Sequence, residues 1–475
     1  MKLLKVIAGA ALCVGAYQAA AQSNNAAPAS VMQVMAAQRL PANAVSLIVL
    51  DPETGRTVTA LNGAAPRSPA STVKVLTTYA SLDILGPAYT WRTRALTRGE
   101  LDNGTLQGDL ILQGAGDPFM TIERWWSFAR SLRSKGLRVI HGNILIDDTQ
   151  FAVENDDPGA FDGRPHRNYN VLPYALMVNF QSIEFRLVAN AASRKVEIQA
   201  DPAPANLIID NRVRFSSARC NGPSRRVDFD VDSQNGNRVI FTGALSQSCA
   251  PRSFSRVLMS PADYAYGTFV SMWRELGGEF DGKLNVEPTP ADARPFLSVD
   301  SLSLSEIVRL TNKFSSNLMA RHLLLTLGLE KFGAPATQKK GAQAIADWSL
   351  ARGISLQDVD IDNGSGLSRT TRVTVTEMAQ VLNSAYHSRY APEFLSSLPL
   401  AGMDGTLRAR LRETPAGAAR LKTGHLNGVS GVAGYVTANS GKTYIVVCIV
   451  NHQRTDFGAG EPVHAALVDW ILENL

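Results

Sequence analysis

A chain of 475 residues that is 45% hydrophobic has ample material for a core, and its length suggests two or three domains. Lys and Arg number 47 against 42 Asp and Glu, a formal net charge of +5. So mild a balance gives no reason to expect nucleic acid as a partner, and it neither demands nor excludes an acidic polymer.

The first elements are an address. Lys2 and Lys5 precede an apolar stretch from Val6 to about Ala16, and Ala19–Ala21 offer a cleavage site before Gln22. The apolar core is shorter than the roughly 20 residues needed to cross a bilayer. Leu12 stands before Cys13 where a lipidated cysteine would have a small residue. The reading is a signal peptide over 1–21, a mature chain carrying no membrane segment, and export to the periplasm.

Residues 22–35 are rich in Ala, Ser, Asn and Pro and read as loosely ordered. AVSLIVLD, a turn at Pro52–Gly55 and TVTALN then form a hairpin. A helix from about Ser71 to Leu85 follows, with Val73, Leu76, Ala80 and Leu82 at helical spacing. Residues 106–120 and 137–151 read as strands around a helix over about 121–137. From 166 to 254, short apolar runs alternate with Asn-Gly, Gly-Asn and Pro turns, which marks a β-rich insert. Ser303-Leu-Ser-Glu306 is a capping box that opens a helical run over Ile307–Leu327. A helix near Val375–Ala385, a hairpin turning at Asn439–Lys442 and a closing helix from about Glu461 complete the chain. Asp469 and Glu473 argue that this last helix packs on the sheet and does not anchor in a membrane.

Cys220 and Cys249 are candidates for a disulfide in an oxidising compartment. Cys448 lies in an apolar run and reads as a buried strand thiol. The histidines show no metal-ligand spacing and no Cys-x-x-Cys occurs, so neither a metal nor a cofactor is expected.

Three short motifs carry the chemistry: Ser71-Thr-Val-Lys74, Ser315-Ser-Asn317 and Lys422-Thr-Gly424. Each alone is weak, and Ser-x-Asn has decoys at Ser23 and Ser233. Lys-Thr-Gly occurs once, directly before a strand-rich hairpin. Ser71 and Lys74 share one helix face. A serine attacks only when a neighbour takes its proton. A lysine can do this only as the neutral amine, which requires its pKa to fall by roughly three units. Burial and a second cation, Lys422, both push that way. Ser315 would then relay a proton to the leaving amine, and Asn317 would orient Lys74 and the substrate amide. Lys422 and Thr423 would hold a terminal carboxylate. Gly424 would let the strand lie close to the substrate, and the backbone N–H groups of Ser71 and His425 would form an oxyanion hole.

This ordered triple resembles the penicillin-binding protein 4 family, the D-alanyl-D-alanine carboxypeptidases and DD-endopeptidases with a long insert. Ser71 and Ser315 stand 244 positions apart, a gap much wider than in β-lactamases and the smaller carboxypeptidases. GDLILQGAGDP (108–118), DDTQF (147–151), DNGSGLSR (362–369) and GMDGTLRAR (402–410) extend the likeness over nearly the whole mature chain. The resemblance implies a multidomain α/β fold. A transpeptidase-like domain with an antiparallel sheet and helices, 22–95 with 293–475, would be interrupted by two nested smaller domains, 96–165 with 255–292 and the β-rich 166–254. It also implies peptidoglycan stem peptides as substrate, β-lactams as covalent inhibitors, and Asp148, Phe151, Arg369 and Asn427 as contacts to the diamino-acid side chain. Two positions depart from the family pattern: Ser316, where Asp is common, and His425, where a small hydroxyl residue is usual. The rival readings are a β-lactamase-like hydrolase, which would need a deacylating loop such as Glu-x-x-Leu-Asn that is missing here, and a catalytically silent wall-binding scaffold. The latter would have no need of Ser71 and Lys74.

Overall fold

Val45–Leu50 and Thr443–Asn451 are apolar at both parities. Successive strand residues point to opposite faces, so a sheet built from them must be covered on both sides. A computed structural model describes residues 26–153 and 157–475; the expected signal segment 1–21 lies outside them. In it, an antiparallel five-stranded sheet runs in the order Ala419–Leu426, Val429–Thr437, Thr443–Asn451, Val45–Leu50, Thr57–Leu61. Leu47, Val49, Val446 and Cys448 face one layer, where Val463, Leu467 and Ile471 of helix Gly460–Asn474 pack. Ile48, Ile445, Val447 and Ile449 face the other, against Leu76, Ile307, Leu323 and Met378. Cys448 is buried with a free thiol, as its apolar run implies.

Two expectations are corrected here. The segment read as loosely ordered up to residue 35 contains helix Ala29–Ala37. Val31 and Met35, one turn apart, are buried in the same cluster as Leu467 and Ile471 of the last helix, so a tertiary partner orders a stretch whose composition looks like linker. The single helical run expected over Ile307–Leu327 is two helices, Leu304–Phe314 and Asn317–Phe332. Ser315 ends the first in a left-handed conformation (φ 56°), and the Ser316 side chain accepts from the Met319 N–H to cap the second. The capping box at Ser303 and Glu306 is formed.

Arg92–Asp102 and Thr105–Gln113 pair, and Arg294–Asp300 adds to the outer edge of Arg92–Asp102. The inserted seven-stranded sheet therefore takes in residues 92–95 and 294–300, a few positions beyond the expected borders at 96 and 292. Helices Ile122–Ser134 and Pro261–Glu275 cover it. Beyond lies the β-rich part, with sheets built on Ile183–Asn190 and Arg238–Ser246. Trp125, Phe128, Phe269 and Trp273 share one core with Phe185 and Phe241, so the inserted parts bury their apolar faces against each other. A disulfide joins Cys220 to Cys249 in the β-rich part.

Candidate active site

Ser71 is positioned by a tight turn. Ala70 has φ 46°, and the one-turn helix Ala70–Val73 runs directly into helix Lys74–Leu85. The Thr72 hydroxyl donates to the Pro69 carbonyl at 2.7 Å and fastens the turn. Two segments close on it. A Cβ added to Gly424, on the edge strand Ala419–Leu426, would lie 2.6 Å from the Pro69 carbonyl oxygen and 3.1 Å from the Ser71 nitrogen. Glycine is thus required for the approach of this strand to the Ser71 turn itself. From the other side, Gly366 packs still more tightly on the Ala70 carbonyl. Its loop is shaped by Asn363, which accepts from the Ser365 N–H and hydroxyl and donates to the Leu367 carbonyl.

Lys74 is completely buried. Its Nζ donates to Ser71 Oγ at 2.8 Å, to Asn317 Oδ1 at 2.8 Å and to the Ser365 carbonyl at 2.5 Å. All three acceptors are uncharged, so no carboxylate offsets the loss of water. Burial first, then the charges of Lys422 and Arg321, hold the Lys74 ammonium well below the usual lysine range. Lys422 is also completely buried, and burial brings it down to about 7. Its Nζ donates to Ser315 Oγ at 2.8 Å and to the Thr423 carbonyl at 2.8 Å. The left-handed break at Ser315 gives its hydroxyl this position, and Asn317 starts the next helix with its amide donating to the Tyr169 carbonyl at 3.1 Å. The result is two lysine–serine pairs: one can deprotonate a hydroxyl, and the other can supply a proton.

The remaining expected site residues separate into groups. Thr423 is buried and its hydroxyl bonds that of Thr406 at 2.7 Å. His425 and Asn427 are exposed, at the end of the edge strand and in the turn after it. The Arg369 guanidinium stacks on Phe161, 4.4 Å from the ring centre, in a cleft of about 240 Å³ that Arg321 and Asp362 also line. Asp148 is half-buried; burial, with Asp147 beside it, pushes its carboxyl above the ordinary range. Phe151 is not a surface group: it is buried with Ala175, Leu325 and Ala336, edge-on to His322 and against Gly116.

Several neighbours were not singled out from the sequence. Ser365 offers only its carbonyl, and Arg321 sits unannounced in an apolar helix, buried, donating to the Val171 carbonyl at 3.0 Å. Burial lowers its guanidinium to about 10. Thr406 shares a hydrogen bond with Thr423 of the third motif. Ser365 and Thr406 do fall within the stretches DNGSGLSR and GMDGTLRAR.

Comparison with known proteins agrees with this geometry. The model of the D-Ala-D-Ala carboxypeptidase 3 (S13) family matches residues 27–473. A D-alanyl-D-alanine carboxypeptidase of an Actinomadura species is 28% identical over 90% of this chain and 80% of its own length. The D-alanyl-D-alanine carboxypeptidase DacB of Haemophilus influenzae is 25% identical, with 91% of each chain covered. A crystal structure of penicillin-binding protein 4 from the same organism, complexed with a β-lactam, superimposes with a TM-score of 0.76 over 93% of this chain and 99% of that one, at 25% identity. The chain belongs to the D-Ala-D-Ala carboxypeptidase 3 (S13) family.

Proposed function

We propose that the protein is a serine DD-peptidase that cuts the bond after a D-alanyl residue in peptidoglycan stem peptides, as carboxypeptidase, endopeptidase or both, and that β-lactams acylate the same serine. The observation that carries this reading is Lys74: a buried amine, 2.8 Å from Ser71 Oγ, held toward its neutral form. As Ser71 Oγ attacks the carbonyl carbon, Lys74 takes its proton. The N–H groups of Ser71 and His425 stabilise the oxyanion. Lys74 returns that proton through Ser315, which is bonded to Lys422, to the departing amine, so Lys74 is neutral again and an ester on Ser71 remains. Water, deprotonated by Lys74, hydrolyses that ester and restores the hydroxyl.

Lys422 and Thr423 hold the carboxylate at the substrate's C-terminal end, Asn317 orients the acyl amide, and Gly424 keeps the edge strand close to the Ser71 turn. Arg369 supplies a planar fork for a carboxylate on the diamino-acid side chain, and Asp148 and Asn427 are further contacts to that side chain. Phe151, buried among Ala175, Leu325 and Ala336, takes a packing role in this reading. In this reading the catalytic body is 22–95 with 293–475, while 96–165 with 255–292 and 166–254 shape the approach to Ser71; strands Arg92–Asp102 and Arg294–Asp300 form the shared border. The chain works in the periplasm, exported by the segment 1–21, and the Cys220–Cys249 disulfide suits that oxidising setting.

Digestion of purified cross-linked muropeptides, beside fluorescent-penicillin labelling of wild type and Ser71→Ala, tests the proposal. Wild type should trim pentapeptides or open cross-links and label covalently, and Ser71→Ala should do neither. Labelling of the alanine variant would remove Ser71 as the nucleophile; survival of both substrates would end the peptidase reading.

A further inference from the structure

The segment Gly402–Leu407 joins two of the three motifs, and no step above uses it. Lys313, in the last turn before Ser315, is buried and donates from Nζ to Asp404 Oδ2 at 2.6 Å and to the Leu398 carbonyl at 2.7 Å. Asp404 Oδ1 in turn accepts the Leu400 N–H at 2.8 Å. Gly405, at φ 54°, presses on Lys313 so closely that a Cβ would stand 2.6 Å from the Lys313 carbonyl oxygen. This clamp delivers Thr406 to the strand of the third motif, where its Oγ1 lies 2.7 Å from Thr423 Oγ1. A buried hydroxyl needs a partner, and for Thr423 that partner is another hydroxyl, which can donate as readily as accept.

We infer that Thr406 is a positioning residue for carboxylate recognition: it orients the Thr423 hydroxyl and exchanges roles with it when substrate arrives. In the free enzyme Thr423 gives its proton to Thr406. When a substrate carboxylate enters, Thr423 turns that proton to the carboxylate and accepts the proton of Thr406 in its place, so neither hydroxyl is left unpaired. A carboxamide in place of the carboxylate draws less from this exchange, because bonds to a charged acceptor are the stronger ones. The clamp from Lys313 and Asp404 matters because it fixes Thr406 from the same helix end that presents Ser315. Carboxylate grip and proton delivery are therefore set by one rigid unit. The inference rests on the DD-peptidase reading given above.

The test compares wild type, Thr406→Val and Thr406→Ser on two peptides ending in D-Ala-D-Ala, one with a free carboxylate and one with a C-terminal carboxamide. Thr406→Val should raise KM for the free acid about fivefold, the scale of one neutral hydrogen bond, with kcat nearly unchanged. The carboxamide should change less than twofold, and Thr406→Ser should restore wild-type KM. Equal losses on both peptides would make Thr406 merely structural and overturn the inference; so would wild-type kinetics on both. Wild-type turnover of the free acid is the separate arm: if it is absent, the peptidase reading falls and this inference with it. Acylation by benzylpenicillin against its methyl ester is a second measurement, and Thr406→Val should slow the free acid more than the ester.

Discussion

The amine of Lys74 lies 2.8 Å from the hydroxyl of Ser71 and meets only uncharged acceptors. An ammonium so placed has lost its water without gaining a counter-ion, and Lys422 and Arg321 add repulsion. Both effects push Lys74 toward the neutral amine, the form that a general base requires.

Replacing Lys74 by Met separates chemistry from stability. Met has a similar length and no polar atom, so it fills the site without a buried polar group. Loss of a general base costs on the order of 10²–10⁴ in rate. Penicillin acylation of Lys74→Met should fall about a thousandfold, while its thermal midpoint stays at or above that of wild type. Acylation within tenfold of wild type would move the base elsewhere.

Lys422 makes a pH prediction. Folded, it titrates at about 7; unfolded, at about 10.4. Below pH 7 both states hold the proton and the cost of burying the cation is fully present. Between pH 7 and about 10 the unfolded chain binds a proton that the folded chain has released, so this group's contribution rises with pH, by at most ~1.4 kcal/mol per unit. Urea midpoints at pH 7, 8 and 9 should climb more steeply for wild type than for Lys422→Met. Identical pH slopes would contradict the assignment.

The three motifs were legible because their order and context are features of the chain alone. What joins them was not. The left-handed Ser315 interrupts a stretch whose capping box and apolar spacing carry on without pause to Leu327, and the break coincides with a tertiary bond to Lys422. Helix Ala29–Ala37 is ordered by the last helix of the protein, which no local pattern announces. Arg321, whose charge acts on Lys74, sits in an apolar helix, where it looks like an exception to the pattern and gives no sign of a site.

Phe151, which the resemblance marks as a substrate contact, is buried in the fold. It is buried against Gly116 and His322, and burial lowers that histidine to about 4. Truncation to Ala should cost about 3 kcal/mol of stability, read as a shift in denaturant midpoint, with the penicillin acylation rate at 20 °C within about threefold of wild type. A change in substrate KM with unchanged stability would restore its direct contact role.

The proposed role of Arg369 as the reader of a carboxylate suits an exposed guanidinium that stacks on Phe161. Arg369→Gln keeps the length and removes the charge. For a stem peptide whose diamino acid carries a free carboxylate, KM should rise about tenfold, the scale of one charge-assisted hydrogen bond. The same peptide with lysine at that position should be unaffected, and equal effects on the two would assign Arg369 to structure.

Gly424 offers the sharpest steric test. Its backbone conformation is an ordinary strand and would accept alanine, so any cost comes from contact and not from torsional strain. The added methyl would meet the Pro69 carbonyl at 2.6 Å, the Thr72 nitrogen at 3.0 Å and the Ser71 nitrogen at 3.1 Å, all of them backbone atoms of the turn that carries Ser71. No side chain can rotate away to relieve this, so either the edge strand or the Ser71 turn must move. Overpacking of this kind costs about 1–3 kcal/mol, which a protein of this size survives. The Ser71–Lys74 geometry tolerates much less displacement, since misplacement of about 1 Å can cost a hundredfold in rate. Gly424→Ala should therefore remain folded by circular dichroism and lose penicillin acylation by about a hundredfold. Full acylation in a folded Gly424→Ala protein would mean that the edge strand can yield without moving the serine.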